Sequence, residues 1–406
     1  MTDQLDPAQT TSRASKGALL GAVFLMATSA IGPGFITQTT TFTAQLGAAF
    51  AFAILLSIIV DIAVQLNVWR VIGVSGLRAQ DLGNRVLPGI GYVMAALVVF
   101  GGLVFNIGNI SGTSLGLDAL FGLDVKIGGA ISALVAVGIF LSKRAGVAMD
   151  RLVVVLGIVM IVLTAYVAVV SGPPVGEALR QAVWPDTADF LVITTLIGGT
   201  VGGYITYAGA HRLLDAGVHG PEQVAQVSRS SITALLVTGV MRAVLFLAVL
   251  GVVAGGVTLA ADNPAADAFH QAAGEVGLRL FGIILWGASV TSVIGASYTS
   301  VSFLVSFSPV LERHRNWLVI GFVAVSLGAF LILDQAPTTL LVLAGALNGL
   351  ILPVGFGVLM WVAARRSDLL GGYRYPRWLL AVGVAAWLLT VYLGWNSLSG
   401  IGALWG

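Results

Sequence analysis

Cysteine is absent from all 406 residues, which excludes disulfides, thiolate chemistry and cysteine metal sites. Charge is nearly as scarce. Asp, Glu, Lys and Arg together supply 9% of the chain and apolar residues 57%, whereas a soluble domain carries about a quarter charged residues. So few charges cannot cover a soluble exterior. There are four histidines, no lysine in a phosphate loop, and glycine runs without the strand context of a nucleotide loop. A cofactor enzyme is therefore excluded, and no cofactor is expected. The basic residues sit in short loops, which leaves no nucleic-acid surface. What is present is apolar length: an all-α polytopic membrane protein whose first partner is the lipid bilayer.

A spanning helix needs about 20 mainly apolar residues. Such runs occur at 17–47, 49–69, 88–116, 127–142, 152–171, 190–213, 231–257, 278–307, 317–334, 338–363 and 378–397, predicting about 11 transmembrane helices in one integral domain. Residues 1–16 read as a polar cytoplasmic tail, and 258–277 is the longest loop, with room for a short surface helix. Placing the N-terminus in the cytoplasm puts sixteen basic residues inside: Arg13, Lys16, Arg70, Arg78, Arg85, Lys143, Arg144, Arg151, Arg212, Arg229, Arg313, Arg315, Arg365, Arg366, Arg374 and Arg377. Lys126, Arg180 and Arg279 fall outside, and Arg242 lies within a span. Positive charge stays cytoplasmic, so the expectation is a plasma (inner) membrane protein with its C-terminus outside.

The first span contains Gly32-Pro33-Gly34, where proline removes an N–H and clashes with the preceding turn. Span six contains Gly198, Gly199, Gly202 and Gly203. Gly34-Phe35-Ile36-Thr37 in span one is echoed by Gly203-Tyr204-Ile205-Thr206 in span six. Non-helical backbone at membrane depth survives only where it is buried in protein or lines a cavity. Interruptions at matching places five spans apart predict two inverted repeats, 17–171 and 190–363, with 378–406 as an additional span and the site at the breaks. A channel lined by the two breaks is the reading from another class. Saturable uptake with counterflow separates the two.

These segments resemble a known family. "GPGFITQTTTFTAQLGA" (Gly32–Ala48), "NIGNISGTSLGLDALFG" (Asn106–Gly122), "GGTVGGYITYAGAH" (Gly198–His211) and "ALNGLILP" (Ala346–Pro353) are similar to the first, third, sixth and tenth helices of Nramp divalent-metal transporters. The resemblance implies a LeuT-type 5+5 inverted repeat of the APC superfamily, with helices one and six broken, working as a secondary transporter. It also exposes departures. The family's first-helix signature is Asp-Pro-Gly-Asn, and here Gly32-Pro33-Gly34-Phe35 stands in its place. Its Met-Pro-His in the sixth helix becomes Gly202-Gly203-Tyr204, and its two third-helix acids become Asn106 and Asn109.

Transition metals require N, O or S donors, and a dication without carboxylates meets a large desolvation penalty. The donors that remain are half-helix amides, the hydroxyls of Thr37, Thr39, Tyr204 and Thr206, and the amides of Gln38, Asn106, Asn109 and Asn348, with Phe35 as an aromatic wall. The set suits a small organic solute whose anionic end rests on a helix N-terminus. The Nramp-like branch with this neutralised pattern is associated with 5-oxoproline, so the resemblance implies a small carboxylate cargo of that kind. A manganese- or magnesium-type divalent cation is the alternative cargo, and a proton or sodium is the coupling ion to be decided.

Asp61 and Arg242 each lie about twelve residues into their spans, near mid-depth at about 1.5 Å per residue. Either they form a structural ion pair, or Arg242 meets a substrate carboxylate and Asp61 carries a coupling proton. His211 follows the second break and reads as a vestibule histidine or a titrating group. The hydroxyl-rich stretch Ser289–Ser300 either lines an ion site or bonds its own helix carbonyls.

Overall fold

The computed structural model describes residues 30–333 and 335–405. The expected tail at 1–16 and most of the first half of span one lie outside the described residues. Among those described, fifteen α-helices follow one another. α1 (Pro33–Leu46) starts on a proline, which the first helical position accepts because its N–H would be unpaired there anyway. Gly32 before it is extended (φ −92°, ψ −173°), so the chain breaks at Ile31–Gly32 as predicted. α2 (Phe50–Ser75) follows after Gly47, whose φ of +54° turns the chain. Residues 33–75 as one helix would run about 65 Å, twice the hydrocarbon core, so the turn makes two passes of them.

α3 (Ala79–Val86) is a short helix that length-of-run reading does not see. α4 (Ile90–Phe121) and α5 (Val125–Leu141) are joined through Asp124, whose carboxylate caps α5 by accepting from the Lys126 and Ile127 amides. α6 (Lys143–Val170) begins nine residues before the expected span, and α7 (Val175–Val183) leaves it at a bend of 107°. α8 (Phe190–Thr200) and α9 (Ile205–Asp215) are the two halves of span six. α10 (Val224–Ala254) and α11 (Pro264–Val305) come next. Gly274, at φ +61°, separates the start of α11 from its membrane part and yields the surface helix expected within 258–277. α12 (Pro309–Arg313), α13 (Arg315–Ile332), α14 (Pro337–Arg365) and α15 (Arg377–Trp405) complete the chain.

Leu134, Val169, Ile332 and Trp361 project from the outside of the bundle, as expected of side chains that meet lipid. The interior is held by close backbone approach. α4 packs against α11 and α14, and α8 against α14. A methyl group added at Gly112 would strike Pro33 at the head of α1, and one at Gly116 would come 2.7 Å from the Trp286 amide nitrogen. Helix packing without a hydrophobic drive favours small residues of this kind. Three buried hydroxyls of α1 bond carbonyls of their own helix: Thr39 donates to Phe35 O (2.7 Å), Thr40 to Ile36 O (3.0 Å) and Thr43 to Thr39 O (2.6 Å).

Candidate functional site

The first break ends in a helix start without a side-chain cap. Ile36 N–H closes on Gly32 O at 3.3 Å, which leaves the Gly34 and Phe35 amides as the open first-turn donors of α1. They carry the partial positive charge of the helix N-terminus. One turn on, the buried Gln38 side chain reaches across to α14 and donates to Leu341 O at 3.0 Å. Its Oε1 has no hydrogen-bond partner, and the carboxamide packs where a side chain at Gly199 or Gly345 would stand. Gln38 thereby joins α1, α8 and α14.

The second break runs over Val201–Tyr204. The amides of Val201 and Gly202 both donate to Ile197 O, at 2.9 and 3.1 Å, and the chain turns at Gly203 with φ +53°. Only glycine takes that conformation without strain. It brings Gly203 against Asn348 of α14, whose Nδ2 donates to Gly101 O (3.0 Å) and Ala344 O (2.8 Å), while Oδ1 has no partner. Tyr204 follows, edge-on to Phe105 with ring centroids 5.6 Å apart, and Phe105 in turn adjoins Gly34. The two breaks therefore meet across one aromatic pair. Trp69 Nε1 holds the far side of the second break by donating to Thr206 O at 2.9 Å.

A third cluster lies beside the first break. Arg242 of α10 is buried, with its guanidinium 4.3 Å from the centre of the Phe35 ring. Nη1 donates to Thr200 Oγ1 at 2.9 Å, at the last turn of α8. Nε and Nη2 have no hydrogen-bond partner among the described residues. Asp61 of α2, the helix packed against α10, is also buried and has no hydrogen-bond partner at Oδ1 among the described residues. Thr200 gives its own proton to Leu196 O (2.8 Å) and accepts from Arg242, so its hydroxyl joins α10 to α8.

Residues 23–399 match the family described as "Natural resistance-associated macrophage protein-like". The chain belongs to the Nramp family. An uncharacterized membrane protein, YcsG, of Bacillus subtilis (strain 168) is 54% identical over 376 residues, 93% of each chain. Among solved structures, the Eremococcus coleocola manganese transporter superposes with a TM-score of 0.75 at 16% identity, covering 98% of this chain and 89% of its own. MhsT in complex with L-phenylalanine superposes at 0.67 with 15% identity, covering 93% and 98%. These neighbours establish the LeuT-type fold with its broken helices; the family makes the chain a secondary transporter and not an enzyme.

Within this Nramp-family chain the expected site residues separate into groups. Gly34, Phe35, Gln38, Gly203, Tyr204 and Asn348 gather at the two breaks, with Gly32 and Gly202 forming the breaks themselves. Thr37 and Thr206 are buried beside them. Asn106 instead ties the scaffold, donating to Ser297 (3.0 Å) and Ser326 (3.1 Å), and Asn109 is buried with Nδ2 unpartnered. His211 is not in an open vestibule. It is buried, with Nδ1 3.0 Å from Ser302 Oγ and Nε2 3.5 Å from the Ala79 amide. Since Ser302 gives its own proton to Thr299 O, the ring donates at Nδ1 and accepts at Nε2, a neutral arrangement. In the stretch Ser289–Ser300, Ser289, Thr291 and Ser297 bond carbonyls of their own helix, while Thr299 and Ser300 have hydroxyl oxygens without partners.

Three features escape sequence reading. Thr200 is the hydroxyl that accepts from Arg242, and its only signal is its place at the end of the first half-helix. Asp215 closes the arginine-rich end of the bundle, pairing with Arg78 (2.6 Å) and Arg315 (3.3 Å) and accepting from Tyr298 (2.7 Å). The site is also shut. The void at Gly203 and Tyr207 is about 10 Å³, room for about one water. A larger cavity of about 240 Å³ beside Ile31, Ile36 and Met241 has apolar walls apart from Thr291, so the polar groups of the breaks are not exposed in it.

Proposed function

We propose that this Nramp-family transporter carries a small organic carboxylate, 5-oxoproline being the leading member, by alternating access. Residues 17–171 and 190–363 act as the inverted repeats, 378–406 is an appended span, and the N-terminus is cytoplasmic with the C-terminus outside. The observation that supports a carboxylate is Arg242: a buried guanidinium with two unpartnered nitrogens, stacked on Phe35 where the α1 amides begin. A carboxylate between Arg242 and the helix start would satisfy donors that otherwise lack partners. The lactam N–H and C=O of 5-oxoproline match the free Oε1 of Gln38 and Oδ1 of Asn348 as acceptors, and the Thr206 hydroxyl as a donor.

The resemblance to Nramp divalent-metal transporters points to a metal cargo, and the Eremococcus neighbour is a manganese transporter. MhsT holds an amino acid on the same fold, so the fold alone does not choose between cargoes. The donor set weighs against a metal: neither break offers an acid, a histidine or a thioether. Among the described residues no three His, Asp or Glu side chains converge as a metal cage. The test is thermal stabilisation of the purified protein by 5-oxoproline, proline and small carboxylates against manganese and magnesium. Stabilisation by 5-oxoproline that disappears in Arg242→Gln is expected. Stabilisation by manganese alone returns the cargo to metal. Ohmic current without counterflow replaces the carrier with a channel.

A further inference from the structure

The buried charges beside the first break are balanced in an unusual way. Among the described residues, Arg242 is the charged group that bears on Asp61, and Asp61 the one that bears on Arg242. Both are buried, on α2 and α10, which pack against each other. The helices packed on α2 confirm the isolation. α1 and α8 have no ionisable residue. Tyr207, His211, Arg212 and Asp215 lie on α9, Glu222 on the short turn of helix before α10, Arg229 toward the start of α10, Glu177 and Arg180 on α7, Arg365 at the end of α14, and Arg377 and Tyr392 on α15. Arg70, on α2 itself, bonds Ser228 near the arginine-rich end. None of these replaces Arg242 as the counter-charge of Asp61.

We infer that Asp61 is the proton-coupling residue of this transporter, linked by charge balance to carboxylate binding at Arg242. The inference rests on the carboxylate reading of the site and names its coupling ion. With the site unloaded, the buried anion and the buried cation balance each other and the pair is neutral. A bound carboxylate takes Arg242 as its partner and adds a second anion. Leaving that anion uncompensated in the membrane interior is strongly unfavourable. A proton taken onto the free Oδ1 of Asp61 restores neutrality, so carboxylate and proton cross together. When the site opens to the other side, the carboxylate leaves, Arg242 again becomes the counter-charge of Asp61, and the proton is released to that side. One carboxylate and one proton move per cycle, with no net charge.

The measurement is uptake of labelled 5-oxoproline into proteoliposomes containing the full chain. A gradient of one pH unit, acid outside, drives about tenfold accumulation in a one-to-one symport, and an imposed membrane potential leaves it unchanged. Asp61→Asn is expected to keep counterflow exchange and to lose gradient-driven accumulation. Accumulation that persists in Asp61→Asn overturns the coupling role while leaving the cargo intact. Absence of any 5-oxoproline flux in the wild type overturns the cargo, and this inference with it. If Asp61→Asn does not reconstitute, Asp61→Glu decides: the carboxylate is kept but relocated, so the pH midpoint of uptake must move. An unchanged midpoint refutes the assignment.

Discussion

The turn at Gly203 offers the sharpest test of the way the two breaks are held. Gly203→Ala puts a methyl group into the Asn348 carboxamide and forces a non-glycine residue into φ +53°. The left-handed conformation costs about 1–2 kcal/mol for an L-residue. Displacing Asn348 breaks its bonds to Gly101 O and Ala344 O, worth about 1 kcal/mol each. The closed arrangement therefore loses roughly 3–4 kcal/mol, or two to three decades in population relative to states with this contact opened. The readouts are thermostability in detergent by size-exclusion and the initial uptake rate, both of which should fall. Two companions divide the effect. Gly101→Ala collides with the same Asn348 oxygen from a helical position, so it should show the displacement without the backbone strain. Adding Asn348→Ala to Gly203→Ala removes the collision and should recover part of the stability. Wild-type stability and uptake in Gly203→Ala would refute the proposed geometry of the second break.

Two further outcomes are expected. Asp215→Asn weakens its links to Arg78, Arg315 and Tyr298 at a partly exposed site, worth about 1–2 kcal/mol in all. Because the chain has no cysteine, Thr206→Cys can serve as a single reporter, and a maleimide applied from the arginine-rich side should label it several-fold faster in the Asp215→Asn background. Asp81, half-buried on α3, has its carboxyl held above the ordinary Asp value by burial, which outweighs the Ser306 hydrogen bond and the nearby Arg78 and Arg85. The folded protein then binds that proton more tightly than the unfolded chain, so its contribution is full in acid and is lost as pH rises through the raised value. Asp81→Asn should accordingly raise the melting temperature at neutral pH, with the gain fading toward about pH 4.

The breaks were legible because Pro33 and the glycines act locally: each changes the backbone where it stands. Helix ends were less so. α6 starts at Lys143 although hydropathy begins only near residue 152, because a helix keeps its hydrogen bonds after it leaves the oil. α3 and α7 were missed since they are short and amphipathic. At the site, the roles of Gln38 and Asn348 as ties between helices depend on partners some 250 to 300 residues away. No local pattern reports such contacts. Asn106 is a like case: its amide nitrogen bonds hydroxyls of Ser297 and Ser326, 191 and 220 residues away.

The bare face of α4 has one last consequence. Where Pro33 lies on Gly112 and Trp286 on Gly116, no side chain of α4 stands between the surfaces to change rotamer and take up slack. A shift of α1 is therefore passed to α4 at full amplitude instead of being absorbed, and the joint behaves as a stiff lever with no play.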